Sequence, residues 1–270
     1  MIVKNESKII ERMLNSVIDI IDTYCISDTG STDNTVEIIT NFFKEKNISG
    51  KIIREEFKNF CFNRNIALTG CNGMSDYILL LDADMKLEIN NFKKDIIGIY
   101  DEYNILQGSE HYAYYNKRII KNNGLYKYHG VTHEYLSSSI NTKSINLDKS
   151  ILFINDIGDG GCKQNKFLRD IELLKQGIID EPNNTRYYFY LGNSYFDILN
   201  NDEAIITYKE LIKMTEGWVQ EKYISCIRIY ESYSRLKQEE LGIHYLILST
   251  KYDKNRIEGI YRLIKYYCNN

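Results

Sequence analysis

Proline is nearly absent from this chain: Pro182 stands alone among 270 residues, and glycine is sparse at 16. So little of either leaves little room for a long flexible linker. A dense Lys/Arg stripe is also missing. With 34 basic against 37 acidic residues and a formal net charge of -3, the chain lacks the basic face that nucleic acid would require. Cys25, Cys61, Cys71, Cys162, Cys226 and Cys268 are scattered with no C-x-x-C pair, and the chain is too large to be a small disulfide scaffold. Its opening residues, Met1 to Arg12, are too charged for a targeting segment. No uninterrupted apolar run approaches the ~20 residues of a membrane span, so no transmembrane segment is expected. These absences point to a soluble, reduced, cytoplasmic protein.

What is present suits a globular fold, with 43% hydrophobic and 26% charged residues, in a chain long enough for two units. The first half alternates strands and helices. Ile2-Val3, Tyr24 to Ser27, Lys51 to Ile53 and Tyr77 to Leu81 read as strands. Lys8 to Ile21, Asp33 to Lys46 and Cys61 to Leu68 carry helical spacing. This β-α-β-α-β order implies a parallel sheet with helices on both faces, and the continuous apolar run 77–81 reads as a central strand. Beyond Asn104 shorter aromatic-rich strands are expected at Ile105 to Tyr115, Lys117 to Lys121, Val131 to Leu136 and Ile151 to Ile154, as an antiparallel or mixed extension.

The second half reads as helical from about Lys166 to Tyr267. Tyr188-x-x-Leu191-Gly192-x-x-Tyr195 followed by Ala204-x-x-x-Tyr208-x-x-Leu211 fits the tetratricopeptide pattern. A looser copy runs from Lys222 through Tyr230 to Tyr245 and Leu248, with Arg256 to Tyr267 as a closing helix. The glycine-dense stretch Asp156 to Gly161 marks the break, giving domains at 1–157 and 158–270. Tyrosine-rich helix faces at 187–195 and 223–233 read as repeat packing, with a homodimer surface as the alternative.

Ligands of open parallel sheets bind beyond the carboxyl ends of the strands. Three polar loops occupy such ends: Lys4-Asn5-Glu6, Asp28 to Thr35, and Asp82-Ala83-Asp84. Two carboxylates at i and i+2 suit a hard divalent cation such as Mg2+ or Mn2+ bridging phosphates, although a solvated strand end has the same look. In the second loop a hydroxyl capping the next helix accounts for Ser31 or Thr32. It does not account for Asp28 at the end of an apolar strand, where a base or ribose could be hydrogen-bonded.

Met1 to Glu6, Ile26 to Thr35 and Leu80 to Asp84 together resemble family-2 glycosyltransferases of the GT-A fold. Gly130 to Leu136, Gly158-Asp159-Gly160 and Phe167 to Asp170 resemble a subgroup with tetratricopeptide helices behind the catalytic domain. The resemblance implies an α/β, Rossmann-like mixed sheet followed by an all-α helical-repeat domain. It also implies that Val3, Asn5, Glu6 and Asp28 line the nucleotide pocket and that Asp82, with Ala83, lies near the ribose. Asp84 would coordinate the metal. Arg64 matches a position facing the nucleotide or its phosphates, with a solvated helix arginine as the alternative.

An inverting transfer needs a general base for the acceptor hydroxyl, and Glu134 is assigned to it, with His133 at the metal or diphosphate. Neighbours on a strand face opposite ways, so the two can share a site only if the strand ends or bends there. Asp159 and Lys163 to Arg169 read either as a flap over the donor or as a plain linker. His111, Tyr112, Tyr114 and Tyr115 read either as an acceptor platform or as a half-buried strand. Three departures from the family stand out: the first strand lacks the usual apolar residues before Met1, Tyr126 to His129 holds no tryptophan, and there is no Q-x-x-R-W motif of processive synthases.

The expected activity is metal-dependent, inverting transfer of one sugar from a nucleoside-diphosphate sugar, UDP favoured, to a glycan, lipid-linked or protein acceptor. Helical repeats often bind peptides, which raises the protein option. Two alternatives compete: an inactive glycosyltransferase-like domain serving as an interaction module, and a nucleotidyltransferase. The latter would carry a glycine-rich basic loop where this chain has Lys4-Asn5-Glu6.

Overall fold

The computed structural model describes residues 1–109, 111–161 and 166–269. Among these, residues Met1–Gly130 and those from Glu134 to Gly161 form one compact unit. Val131–His133 and the residues from Lys166 onward form a second.

The first unit opens with three βα steps: β1 (Ile2–Val3), α1 (Ile10–Val17), β2 (Tyr24–Asp28), α2 (Thr35–Glu45), β3 (Gly50–Arg54) and α3 (Phe60–Gly70). The three strands pair in parallel in the order β1-β2-β3, Val3 opposite Asp28 and Asp28 opposite Arg54. Alternation along β2 explains why helices cover both faces. Ile26 joins the core of Ile10, Met13, Leu14 and Val17 of α1 with Ile39, Phe42 and Phe43 of α2. Its neighbour Cys25 points the other way, donating its thiol to the Ala67 carbonyl of α3.

Then come β4 (Tyr77–Leu79), β5 (Met85–Ile89), β6 (Glu102–Gly108), β7 (Ala113–Lys121), β8 (Tyr126–His129), β9 (Tyr135–Ser138), β10 (Ser144–Leu147) and β11 (Leu152–Asp156). The order β4-β7-β6-β11-β5 defines a mixed sheet, with β10 also pairing β6 in parallel, while β8 and β9 form a hairpin. The apolar run 77–81 departs from the expected central parallel strand. Only residues 77–79 form a strand, and it runs antiparallel to β7.

Two other expected strands are corrected. The stretch 105–115 is broken by a turn, because Gly108 adopts φ +148 and a Cβ there would lie 2.0 Å from the Tyr112 carbonyl oxygen. β6 ends and β7 begins around it, and β7 absorbs the segment 117–121. Nor does a strand start at Val131. Gly130 (φ +95) and His133 (φ +49) turn the chain, and pairing resumes only at Tyr135.

The second unit is helical: α4 (Lys166–Asp180), α5 (Thr185–Asp197), α6 (Asn201–Lys213), α7 (Val219–Arg235), α8 (Glu239–Tyr252) and α9 (Glu258–Asn269). Each helix packs on its successor, the arrangement of stacked helical repeats. Gly192 shows why the pattern needs a small residue: a Cβ there would stand 2.5 Å from the ring of the fully buried Tyr208. Ala204, Tyr208 and Leu211 are all buried, as are Tyr187, Tyr195 and Tyr223, so these tyrosines serve the packing within the repeats. No described helix is long and apolar enough to cross a membrane.

Candidate active site

The loops after β1 and β2 are joined by hydrogen bonds. Asn5, in the left-handed region at φ 57, donates its N–H to Ser31 Oγ at 3.0 Å and accepts from the Thr32 N–H at 2.7 Å. The Glu6 N–H donates to Thr35 Oγ1 (2.8 Å) and the Ser7 N–H to Asp33 Oδ2 (3.1 Å). Asp33 is held down at about 2. What burial it has works the other way, and the hydrogen bonds from Ser7 and Thr35 prevail. Asp28, buried at the end of β2, accepts from the Ser31 N–H across the turn that Gly30 makes at φ +100. Asp28 also lines a cleft of about 670 Å³ with Ser31, Glu37, Arg54 and Glu55. Val3 contributes main chain, since its side chain is in the core and its carbonyl accepts from Thr29.

Arg64 is the electrostatic centre of the unit. Its Nη1 lies 2.8 Å from Asp82 Oδ1 and its Nε 2.5 Å from Glu134 Oε1, with the guanidinium over the Tyr128 ring. Burial opposes its charge, but Asp82 and Glu134 more than offset that and raise its pKa above the ordinary value. Three devices position it. Asn59 caps α3 by accepting from the Phe62 N–H, buried Asn63 pins the preceding loop through Glu56 and Lys58, and the Asn65 amide bonds both main-chain groups of Tyr128.

Asp82 is shared with a second arginine. The register between β6 and β7 shifts at Tyr103/Asn104, leaving Arg118 as the extra residue on β7. Such a bulge re-aims a side chain. Buried Arg118 donates to Gln107 Oε1 (2.6 Å) and to the Leu80 carbonyl (3.2 Å), and lies 3.8 Å from Asp82 Oδ2. Burial pulls the Asp82 pKa up, yet Arg64 and then Arg118 bring it down to about 2.

Asp84 has the opposite surroundings. Burial, then Asp82 and Asp156, raise its pKa, against the N–H of Gly160. Gly160 packs on Asp84 so closely that a Cβ would lie 3.1 Å from Oδ2. The next residue, Gly161, donates its N–H to Glu6 Oε2 at 3.2 Å, so one glycine pair spans Asp84 and Glu6. Glu6 is itself raised by burial, and further by Asp84, Asp33 and Asp159, with the Gly161 bond opposing. Asp159 anchors this segment through a two-pronged pair with Arg12 at 2.8 and 2.7 Å. Lys163 to Asn165, and Cys162 before them, lie outside the described residues.

The sequence model of glycosyl transferase family 2 matches residues 1–154, more than half of the chain. The chain belongs to that family. Glycosyltransferase SunS of Bacillus subtilis is 29% identical over 222 residues, covering 77% of this chain and 50% of SunS. The chain thus spans half the length of that relative. A TPR repeat-containing protein of Synechococcus elongatus is 36% identical over 88 residues, 32% of this chain and 20% of that protein. The crystal structure of S. aureus TarS 1–349 superimposes with a TM-score of 0.49 at 14% identity, covering 94% of this chain and 90% of that one.

Within this glycosyl transferase family 2 chain, Asn5, Glu6, Asp82, Ala83, Asp84, Arg64 and Glu134 all belong to the first unit, together with Val3 and Asp28. Arg64 is a paired, largely buried arginine, not a solvated one. The chain bends at His133 (φ +49) before β9 begins; His133 is grouped with the second unit, its ring stacked on Tyr190 at 3.9 Å, and Glu134 with the first. Among the described residues no three His, Cys, Asp or Glu side chains are grouped to hold a metal ion. Sequence reading missed Arg118, whose signal was a second cation after Lys117 directly against the apolar Ile119-Ile120, and the bridging role of Gly160 and Gly161.

Proposed function

We propose that the first unit transfers one sugar from a nucleoside-diphosphate sugar to an acceptor hydroxyl, with inversion at the anomeric carbon. The observation that carries this is the contrast within Asp82-Ala83-Asp84. One carboxylate is neutralised by Arg64 and Arg118. The other faces carboxylates and main-chain amides, and no described cation pairs with it. With no described cation beside it, the Asp84 carboxylate would hold Mn2+ or Mg2+. When bound, such a cation would neutralise charge developing on the leaving diphosphate.

The chain's own residues do the rest. Asn5, Glu6 and Asp28 bound the nucleotide side, and Asp82, held anionic, accepts from a ribose hydroxyl. Glu134 Oε1 is occupied by Arg64, which fixes the position of the carboxylate and leaves Oε2 to take the acceptor proton. UDP is the favoured nucleotide, and glycan, lipid-linked and protein hydroxyls are the acceptor classes to test. The helices of the second unit are proposed as tetratricopeptide-like repeats able to hold a peptide or a second copy of the chain.

The test is a screen of UDP- and GDP-sugars for release of the nucleoside diphosphate, with Mn2+ and with chelator. Turnover with one donor should fall ~100-fold in Asp84→Ala, the scale of a lost electrostatic stabiliser. Equal turnover in that variant would contradict the assignment.

A further inference from the structure

Cys25 lies on β2 three residues before Asp28, and Cys71 caps the C-terminal end of α3. Both are free, half-buried thiols, and both donate to one acceptor, the Ala67 carbonyl oxygen, at 3.5 and 3.3 Å. Gly70 permits this approach: a Cβ there would stand 2.7 Å from Cys25 Sγ and 2.5 Å from Ile53 Cδ1. Lys51, the register partner of Cys25 on β3, brings its Cε to within 3.7 Å of the same point. The two cysteines also line a cavity of about 420 Å³ bounded by Met13, Met74 and Tyr77, an approach for a small oxidant.

We propose that Cys25 and Cys71 form a redox pair that a hydroperoxide converts to an intramolecular disulfide. In the first step the Cys25 thiolate attacks a peroxide oxygen. An S–O bond forms, the O–O bond breaks, and hydroxide leaves a sulfenic acid. The Cys71 thiol then attacks that sulfur: S–S forms as the S–O bond breaks, and the Cys71 proton passes to the departing oxygen, which leaves as water. Two thiols lose two electrons and hydrogen peroxide becomes two waters.

The division of roles follows from the surroundings. The Cys71 hydrogen bond, opposed by burial and aided by the Met1 amine and Lys51, lowers the Cys25 thiol to about 7, whereas the same contact with Cys25, together with burial, pushes the Cys71 thiol up. The bond would tie the strand that ends at Asp28 to the helix that carries Arg64.

Peroxide titration of the full chain, followed by alkylation and non-reducing peptide mapping, tests this. The expected product joins the Cys25 and Cys71 peptides, lighter by two hydrogens, and raises Tm by ~5 °C until dithiothreitol is added. In Cys71→Ser, Cys25 should halt as a sulfenic acid trapped by dimedone. The proposal is overturned if both cysteines remain alkylatable while Cys268 oxidises, or if Cys25 links to another cysteine. The wild-type map stands whether or not the variant folds.

Discussion

Arg64 holds two carboxylates, and its loss would leave both without their nearest cation. Breaking a largely buried ion pair from one side is costly, so Arg64→Ala should destabilise the chain by about 3 kcal/mol in urea titrations. Lysine offers one point charge in place of a fork, so Arg64→Lys should recover only part of that. Asp33 makes a pH-dependent contribution. Its folded value of about 2 lies below the ordinary 3.8, so the stability it adds is full above 3.8 and is lost as pH falls toward 2. Asp33→Asn should therefore flatten the fall in stability between pH 4 and pH 2, measured by denaturant melts. An unchanged slope would remove the loop-joining role given to Asp33.

At the scale of elements, packing decides what substitution does. Gly192→Ala would drive a methyl into the Tyr208 ring and should cost ~1–3 kcal/mol, read as a lower midpoint in thermal melts. Asn59→Ala removes the cap of α3 and should cost about 1 kcal/mol. The elements also show how far a sequence can be read. Helical periodicity in α1, α2 and the repeats was legible, because burying one face leaves a regular trace. The turn at Gly108 and the chain reversal at Gly130 and His133 were not, because each depends on positive φ angles that apolar spacing does not record. Arg118 was missed for a related reason: its direction comes from a bulge, which exists only once β6 and β7 pair. The residues after β1, β2 and β4 were legible because strand ends carry polar residues where ligands bind.

For the molecule as a whole, the central claim is that the loops at Asn5-Glu6, Asp28 to Thr35 and Asp82 to Asp84 make one nucleotide-sugar site in the first unit. Hydrogen exchange should show added protection in those loops, and at Gly160-Gly161, when nucleotide and metal are both present. The most direct measurement is isothermal titration of UDP into the full chain with Mn2+, with chelator, and in Asp84→Asn. Saturable 1:1 binding that requires the metal and weakens at least ~10-fold in the variant is expected, a loss of about 1.4 kcal/mol. Binding of UDP and GDP that is absent throughout, or equally tight with chelator and in Asp84→Asn, would contradict the account.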